Sequence, residues 1–255
     1  MHTRLLLPAT AFAALATLPS CAVPELEAQA AYAQLSLDGQ FGYSDPSTTS
    51  IRQDIPSAFG LGDAQGSPYG RVQLDTGVQV ISVSGFDFQD SGDGVLQADF
   101  GNNLTASTAV HSDFKLRNAK GAYAFEIPIG PVSISPGIAL DYIDLDIQLR
   151  DLIGIATERV QLNAPVPLAF VRGEVDLGIV SAVAEVGYLS VNNIDDVDGS
   201  LLDIEALLVV HPTGLLELLA GYRMIDLKVD GLVDNQTFDT DIQLGGFFVG
   251  GGLRF

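Results

Sequence analysis

The last eleven residues of the chain read Gly245-Gly246-Phe247-Phe248-Val249-Gly250-Gly251-Gly252-Leu253-Arg254-Phe255. Counting back from Phe255 in steps of two gives an apolar set that reaches Phe247, whereas the other parity carries Arg254 and several glycines. Because successive side chains of a strand point to opposite faces, this period of two predicts a β-strand with one apolar face.

The composition of the whole chain indicates how such a strand is used. The 255 residues are 47% hydrophobic, with a mean hydropathy of +0.29. No run after residue 20 approaches the roughly 18 to 20 apolar residues that a membrane-spanning helix needs. Only helices and closed barrels satisfy every backbone polar group in lipid. If the chain crosses a membrane it does so as a barrel of strands, and its glycine-rich, aromatic end is typical of the closing strand.

The balance of charges restricts the classes of partner. The chain has 32 acidic residues against 12 Lys and Arg, a formal net charge of −20. Nucleic acids and anionic lipid surfaces are polyanions that bind through Lys and Arg, so the charge argues against both and favours cations. The single cysteine, Cys21, cannot form an intramolecular disulfide, so burial and strand pairing must stabilise the fold.

The N-terminal segment is typical of an export signal. Arg4 supplies a positive charge, Leu5 to Leu18 form an apolar stretch of suitable length, and small residues follow. Two processing sites remain open. One is lipobox-like, Leu18-Pro19-Ser20-Cys21, and would lipidate Cys21; the other is the small-x-small site Ala28-Gln29-Ala30. We assign residues 1–30 to the processed segment and residues 31–255 to one barrel domain, since no linker divides them.

Segments with a period of two recur along the chain and predict an all-β, antiparallel transmembrane barrel of ten strands. The first segment runs from Ala33 to Tyr43, and if its apolar residues face lipid, Asp38 faces the lumen. The hairpin from Tyr69 to Phe88 alternates less clearly, so a barrel of eight strands is the alternative. The alternation changes phase beyond Tyr142, as a bulge or an exit from the bilayer would produce. Long loops at one end and turns at the other place both termini in the periplasm.

Tyrosines recur at one level of the predicted strands. The last outward residue of four ascending strands is a tyrosine, and these residues are Tyr43, Tyr142, Tyr188 and Tyr222. Tyrosine is enriched where hydrocarbon meets the lipid headgroups. The four therefore predict an aromatic girdle.

The inward positions of the predicted strands carry charges of both signs. The predicted lumen network contains Asp38, Glu126, Asp141, Glu185, Asp203, Glu205, Arg223 and Arg254, with Arg71 as a further base. In a ten-stranded barrel side chains fill most of the lumen, so the network would plug it. If the network left a gap, the excess of acids would favour cations.

Two short motifs suggest chemistry without establishing it. The acidic loop that contains Asp195, Asp196 and Asp198 resembles a calcium loop, but its first position is Ile194, so we expect only a weak contact with divalent cations. His111-Ser112 suggests a hydrolase acting on lipid A or peptides at the outer rim. Adjacent residues of a strand face opposite sides, so these two side chains are not expected to form a hydrogen bond.

Three stretches of the chain resemble the GlyGly outer-membrane proteins of Gram-negative bacteria. They are Ile55 to Arg71, Asp99 to Asp113, and Leu219 to Phe255. The resemblance implies a small barrel in the outer membrane and brings no catalytic residues.

The predicted function is non-enzymatic. We expect an integral outer-membrane barrel with a structural or interaction role, or a narrow cation-preferring channel, without a cofactor or a metal. The barrel hydrolase centred on His111 is the alternative. The predicted partners are outer-membrane lipid and lipopolysaccharide, divalent cations, and the barrel-assembly machinery, which is expected to recognise Phe247, Val249, Leu253 and Phe255.

Overall fold

The computed structural model describes residues 24–44, 51–194, 197–233 and 236–255, and within them the chain is almost entirely strand. The elements are β1 (Glu25–Ser44), β2 (Gln53–Asp54), α1 (Ile55–Phe59), β3 (Gln65–Asp75), β4 (Gln79–Val95), β5 (Ala109–Phe125), β6 (Ile127–Ile129), β7 (Val132–Asp151), β8 (Thr157–Asp176), β9 (Val180–Ile194), β10 (Val197–Val210), β11 (Leu216–Val233) and β12 (Gln236–Arg254). None of the described segments is a helix long and apolar enough to cross a membrane.

Ten of these strands, counted over the described residues, form a closed antiparallel barrel. Each strand pairs with the next along the chain, and β12 pairs with β1. The short β2 pairs with β1 outside this cycle, and β6 continues the path of β5 along β7. The prediction of ten strands is confirmed. The eight-stranded alternative is wrong, because β3 and β4 lie between β1 and β5 in the barrel.

The seam between β1 and β12 closes the barrel. Its register runs from Glu27 opposite Arg254 to Ser44 opposite Thr237. A side chain at Gly250 would place its Cβ 2.1 Å from the backbone oxygen of Ala30, so glycine is needed for the two backbones to approach. The glycine-rich end of the sequence therefore forms the closing strand, as its alternation predicted.

The barrel begins at Glu25, six residues before the predicted domain boundary at residue 31. Ala28 pairs with Leu253 on one side and with Val72 on the other. Cleavage after Ala30 would remove a segment that is paired on both edges. Cys21 lies outside the described residues.

The barrel has two ends, which we name by their connections. The turn end holds the start of β1, the end of β12 and the tight connections 75–79, 129–132, 176–180 and 210–216. The loop end holds the longer connections 44–65 and 95–109, together with three short ones, 151–157, 194–197 and 233–236. Strands such as β7, with 20 residues, are about twice the 9 to 11 residues needed to cross a bilayer.

Although Ile153 and Ile155 are also exposed in the connection after β7 at the loop end, the outer surface along the strands is apolar in the half of the barrel next to the turn end. We call this surface the apolar belt; its exposed side chains are Leu26, Tyr32, Val72, Ile81, Val83, Phe125, Ile127, Ile129, Val132, Ile134, Ile138, Leu140, Tyr142, Val171, Val175, Val186, Tyr188, Leu208, Leu216, Leu218, Phe247, Val249 and Leu253. Such a belt matches the lipid-facing band of membrane barrels.

The half next to the loop end has the opposite arrangement, with apolar residues inside. In β7 the outward residue Leu140 is 53% exposed, whereas Leu145 and Leu149 face the interior and are at most 2% exposed. The strand alternates without interruption through this change. The change of phase at Ile143 is therefore an exit from the apolar belt and not a bulge.

This inversion corrects the assignment of the first strand. Leu35, Leu37 and Phe41 are buried inside the barrel, and Asp38 is exposed on its outer surface. Asp38 is thus not a lumen residue. The segment lies in the half with an apolar interior, where taking apolar side chains as lipid-facing reverses the true orientation.

Tyr43 is the second correction. It packs against the interior core, with its ring 5.5 Å from that of Phe100, and so does not belong to a girdle on the outer surface. Tyr32, on the same strand and eleven positions earlier, is 59% exposed in the apolar belt.

The helix α1 with its flanking residues, Asp54 to Gly60, covers the loop end, and we call this segment the lid. Asp54 caps the N-terminus of α1, accepting hydrogen bonds from the backbone N–H and the hydroxyl of Ser57, and these bonds hold the pKa of Asp54 below its usual value. Gly60, with φ of 69°, ends the helix in the left-handed conformation. Phe59 packs against the rings of Phe41 and Phe100 at 6.5 and 5.6 Å. The lid thus continues the apolar filling of the barrel.

The two halves should respond differently to a charge on the outside of the same strand. Ile138→Arg, in the apolar belt, is expected to lower the free energy of unfolding by about 2–4 kcal/mol, because arginine must enter the hydrocarbon. Gln148→Arg, facing outward in the other half of β7, is expected to change it by less than about 0.5 kcal/mol. Urea unfolding in lipid vesicles measures both, and equal costs would contradict the position of the belt.

Candidate functional site

Apart from Glu217, which lies nearer the turn end beside Gln29 and His211, eight charged side chains are buried in the lumen, in the half enclosed by the apolar belt. We call them the ion-pair layer: Arg71, Lys120, Arg172, Arg223, Asp141, Glu185, Asp203 and Glu205, each at most 3% exposed. They comprise four bases and four acids. The layer is therefore formally neutral, although the chain carries a net charge of −20.

Arg71 links two carboxylates at the centre of the layer. Its Nη1 donates to Glu205 Oε1 at 2.6 Å, and its Nη2 donates to Glu185. Arg172 donates to the same Glu185 oxygen at 2.9 Å. The hydroxyl of Tyr69 donates to Glu205 at 2.8 Å. These charge-assisted bonds tie together strands β3, β8, β9 and β10 across the lumen.

Arg223 and Lys120 extend the layer to the other wall. Arg223 Nη2 donates to Asp203 at 2.7 Å and to Asn118 Oδ1 at 2.8 Å, and Asn118 in turn donates to Asp141. Lys120 Nζ lies 3.3 Å from Asp203. Each buried base thus has a carboxylate partner, as a charge in a region of low dielectric requires.

Aromatic rings fill the remaining space at this level. Tyr69 stacks on Phe248 with ring centroids 4.5 Å apart, and the guanidinium of Arg223 lies 5.2 Å from the ring of Phe86. Lys120 Nζ lies 6.0 Å from the ring of Phe170. With the apolar interior beyond it, the layer obstructs the lumen over most of its length.

A cavity of about 430 Å³ lies between the ion-pair layer and the turn end. We call it the vestibule. Six carboxylates line it: Glu25, Glu27, Asp75, Glu126, Glu174 and Asp176. It narrows to a neck of about 10 Å³ lined by Gln29, Arg71 and Arg172 among others. The vestibule is thus an acidic recess open at one end.

Two basic residues border the vestibule. Arg254 pairs with Glu25 and donates to His211 Nδ1 at 3.1 Å. His211 Nε2 lies 3.6 Å from Glu217, whose other oxygen accepts a hydrogen bond from Gln29 at 2.8 Å. Both basic side chains therefore already contact residues of the barrel wall.

The predicted lumen residues divide among three places. Asp141, Glu185, Asp203, Glu205 and Arg223 belong to the ion-pair layer. Glu126 and Arg254 line the vestibule, and Asp38 lies on the outer surface.

Sequence reasoning missed two bases of the layer, Lys120 and Arg172. Lys120 has the same parity as Glu126, which was predicted to face the lumen, so extending that parity along the strand would have found it. Arg172 has the parity of Leu168 and Phe170, which are buried inside the barrel. Because apolar residues of a membrane strand are expected to face lipid, the alternation of this strand did not indicate that Arg172 faces the lumen.

The remaining girdle residues lie on the outer surface. Tyr142 and Tyr188 are exposed in the apolar belt, and Tyr222 pairs with Phe247 across two strands with ring centroids 5.0 Å apart. The residues predicted as the assembly signal also face outward: Phe247, Val249, Leu253 and Phe255.

His111 lies on the outer surface near the loop end. Its Nδ1 is 2.6 Å from Asp93 Oδ1, and its Nε2 is 3.8 Å from Asp113. The Ser112 side chain is completely buried on the opposite face of the strand. His111 and Ser112 therefore do not form a nucleophile and base pair.

The predicted divalent-cation contact falls largely outside the described residues, which do not include Asp195 and Asp196. Asp198 lies at the start of β10. Among the residues that are described, no group of three or more His, Cys, Asp or Glu side chains could hold a metal ion.

No protein-family model and no curated protein matches the sequence. Among solved structures, the chain is similar to the outer membrane protease OmpT from Escherichia coli, with a TM-score of 0.55, 9% identity, and coverage of 91% of this chain and 96% of that one. It also matches Ail, the attachment invasion locus protein of Yersinia pestis, with a TM-score of 0.40, 12% identity, and coverage of 91% and 99%. The first likeness shows the fold, an outer-membrane β-barrel. The resemblance to the GlyGly proteins stays a prediction.

Proposed function

We propose that this chain is a non-catalytic outer-membrane barrel, closed to ion flow, with a structural or interaction role in the envelope. The observation that carries the proposal is the neutral ion-pair layer, which crosses the lumen within the apolar belt. A narrow cation-preferring channel is less well supported. The acids of the layer are equalled in number by its bases, and the free volume at the neck is only about 10 Å³.

The apolar interior beyond the layer supports the same proposal. Phe88, Phe114 and Leu149 fill the lumen towards the loop end, each at most 1% exposed, and the lid covers them. An ion would have to cross both the charged layer and this apolar filling. Such packing is expected of a barrel that uses its lumen for stability.

We propose that the apolar belt lies in the outer membrane with the turn end, and hence both termini, in the periplasm. The half with the polar outer surface then stands in water beyond the lipid and lipopolysaccharide, where it presents the lid to partners. The barrel-assembly machinery is the expected partner for insertion.

A conductance measurement tests whether the barrel is closed. The purified protein in planar bilayers is expected to give no single-channel steps at up to 100 mV in 1 M KCl, with a porin inserted in the same bilayers as the positive control. Reproducible steps with a cation-selective reversal potential would overturn the closed barrel and favour the channel.

The hydrolase alternative rests on the pair formed by His111 and Asp93. A histidine held by a carboxylate resembles the base of hydrolytic sites. However, the adjacent Ser112 points into the core, and His111 is oriented outward on the barrel wall. We expect the protein and its His111→Ala variant to show equal, background hydrolysis of lipid A and of a peptide library. A rate that falls at least tenfold in the variant would establish the enzyme instead.

A further inference from the structure

The vestibule carries more negative charge than its surroundings neutralise. Its six carboxylates face Arg254 and His211, and Arg172 reaches it only through the neck. Five of the six carboxylates already have partners in the barrel, and one of these, Glu126, accepts a hydrogen bond from the Ser133 side chain. Glu25 pairs with Arg254, Glu174 with Arg172, and Asp75 and Asp176 accept backbone N–H groups of the turns at Gly77 and Gly178.

Two acceptors at the inner end of the vestibule have no partner. Glu27 is half-buried and lines both the vestibule and its neck, and its carboxylate forms neither a hydrogen bond nor an ion pair with any described residue. Gln29 is 7% exposed and lines the neck. Its amide nitrogen donates to Glu217, whereas its carbonyl oxygen is buried without a hydrogen-bond partner among the described residues.

These two acceptors lie on the same face of β1, two positions apart. A carboxylate and an amide carbonyl so arranged can accept hydrogen bonds from one primary ammonium group, which has three donors. An unmade bond at a buried acceptor costs free energy, so a donor that fills it contributes more than a surface ion pair does.

We propose that the vestibule binds a linear organic cation with at least two ammonium groups. One ammonium lies at the neck, between the Glu27 carboxylate and the Gln29 carbonyl, and the other lies among the carboxylates nearer the turn end. A cavity of about 430 Å³ exceeds the space that a bare metal ion needs, and the described residues hold no cluster fit to bind one. A linear diamine fits both the volume and the excess of acid.

The site needs only the recess and not the absence of conductance, so its test is independent of the bilayer measurement. Isothermal titration of the detergent-solubilised barrel with 1,4-diaminobutane is expected to show one site, and 1-aminobutane is expected to bind at least tenfold more weakly. Glu27→Gln should weaken diaminobutane binding by about tenfold or more, because a charge-assisted hydrogen bond is lost.

The matched control is Asp38→Asn, which removes the same formal charge from the outer surface and should leave diaminobutane binding unchanged. Glu126→Gln, nearer the turn end, should weaken the diamine but not 1-aminobutane. Far-UV circular dichroism verifies that each variant is folded. Equal losses in Asp38→Asn and Glu27→Gln, absence of binding to the unaltered protein, or tighter binding of Mg²⁺ than of diaminobutane would overturn the site.

Discussion

Replacing Arg223 with methionine is expected to lower the free energy of unfolding by about 3–5 kcal/mol. Arg223 is 2% exposed and donates to Asp203 and Asn118. Its removal leaves Asp203 with only Lys120 as a basic partner, in a region where water cannot replace the lost charge. Breaking one side of a buried ion pair is costly because the remaining charge stays desolvated.

A double variant separates this cost from the general effect of altering the lumen. Arg223→Met with Asp203→Leu removes one base and one acid, so the ion-pair layer stays balanced. The double variant is therefore expected to recover at least half of the stability lost in the single variant. Since the chain has no tryptophan, far-UV circular dichroism during urea unfolding is the appropriate measurement. A double variant less stable than Arg223→Met would contradict the pairing.

Replacing Phe88 with alanine is expected to lower the free energy of unfolding by about 3–5 kcal/mol. This effect is expected because the lumen at this level is packed with apolar side chains and is not filled with water. Phe88 is fully buried, with its ring 6.0 Å from that of Phe114 in an edge-to-face arrangement. The substitution leaves a cavity in a packed apolar interior. In a water-filled lumen, by contrast, the same change would be nearly neutral.

Gln89→Ala is the matched control for this experiment. Gln89 follows Phe88 in β4 and is exposed on the outer surface of the same half of the barrel. Its replacement should change the free energy of unfolding by less than about 0.5 kcal/mol. Similar urea midpoints for the two variants would show that the interior next to the loop end is not packed as described.

The fold followed from the sequence because its signals are local and repeated. The period of two in segments such as Val132 to Tyr142 reports the strand directly, and ten such segments predict a barrel. The glycines near Phe255 marked the strand whose backbone approaches β1 most closely. Each of these signals depends on neighbouring residues alone, and each survived in the structure.

The candidate site was only partly predictable. Asp203, Glu205 and Arg223 lie in strands whose outward neighbours are in the apolar belt, so their parity was assigned correctly. Asp38 was wrongly assigned to the lumen because its segment lies in the half next to the loop end, where the apolar side chains face the interior. Nothing in the sequence around Gln29 indicated a buried, unpartnered carbonyl. The environment of this side chain depends on residues far away in the chain, such as Glu217, to which its amide nitrogen donates.

The sequence by itself determined that the chain alternates with a strand period, that no run after residue 20 is long and apolar enough for a spanning helix, and that its last strand closes a barrel. The tertiary structure alone decided which face of each strand is interior. The apolar and polar residues alternate with the same period in both halves of the barrel, but the apolar residues face outward within the apolar belt and inward in the half next to the loop end. It also decided which charges meet: Tyr69 and Glu205, 136 positions apart, form one hydrogen bond because the closed barrel sets them across a shared lumen.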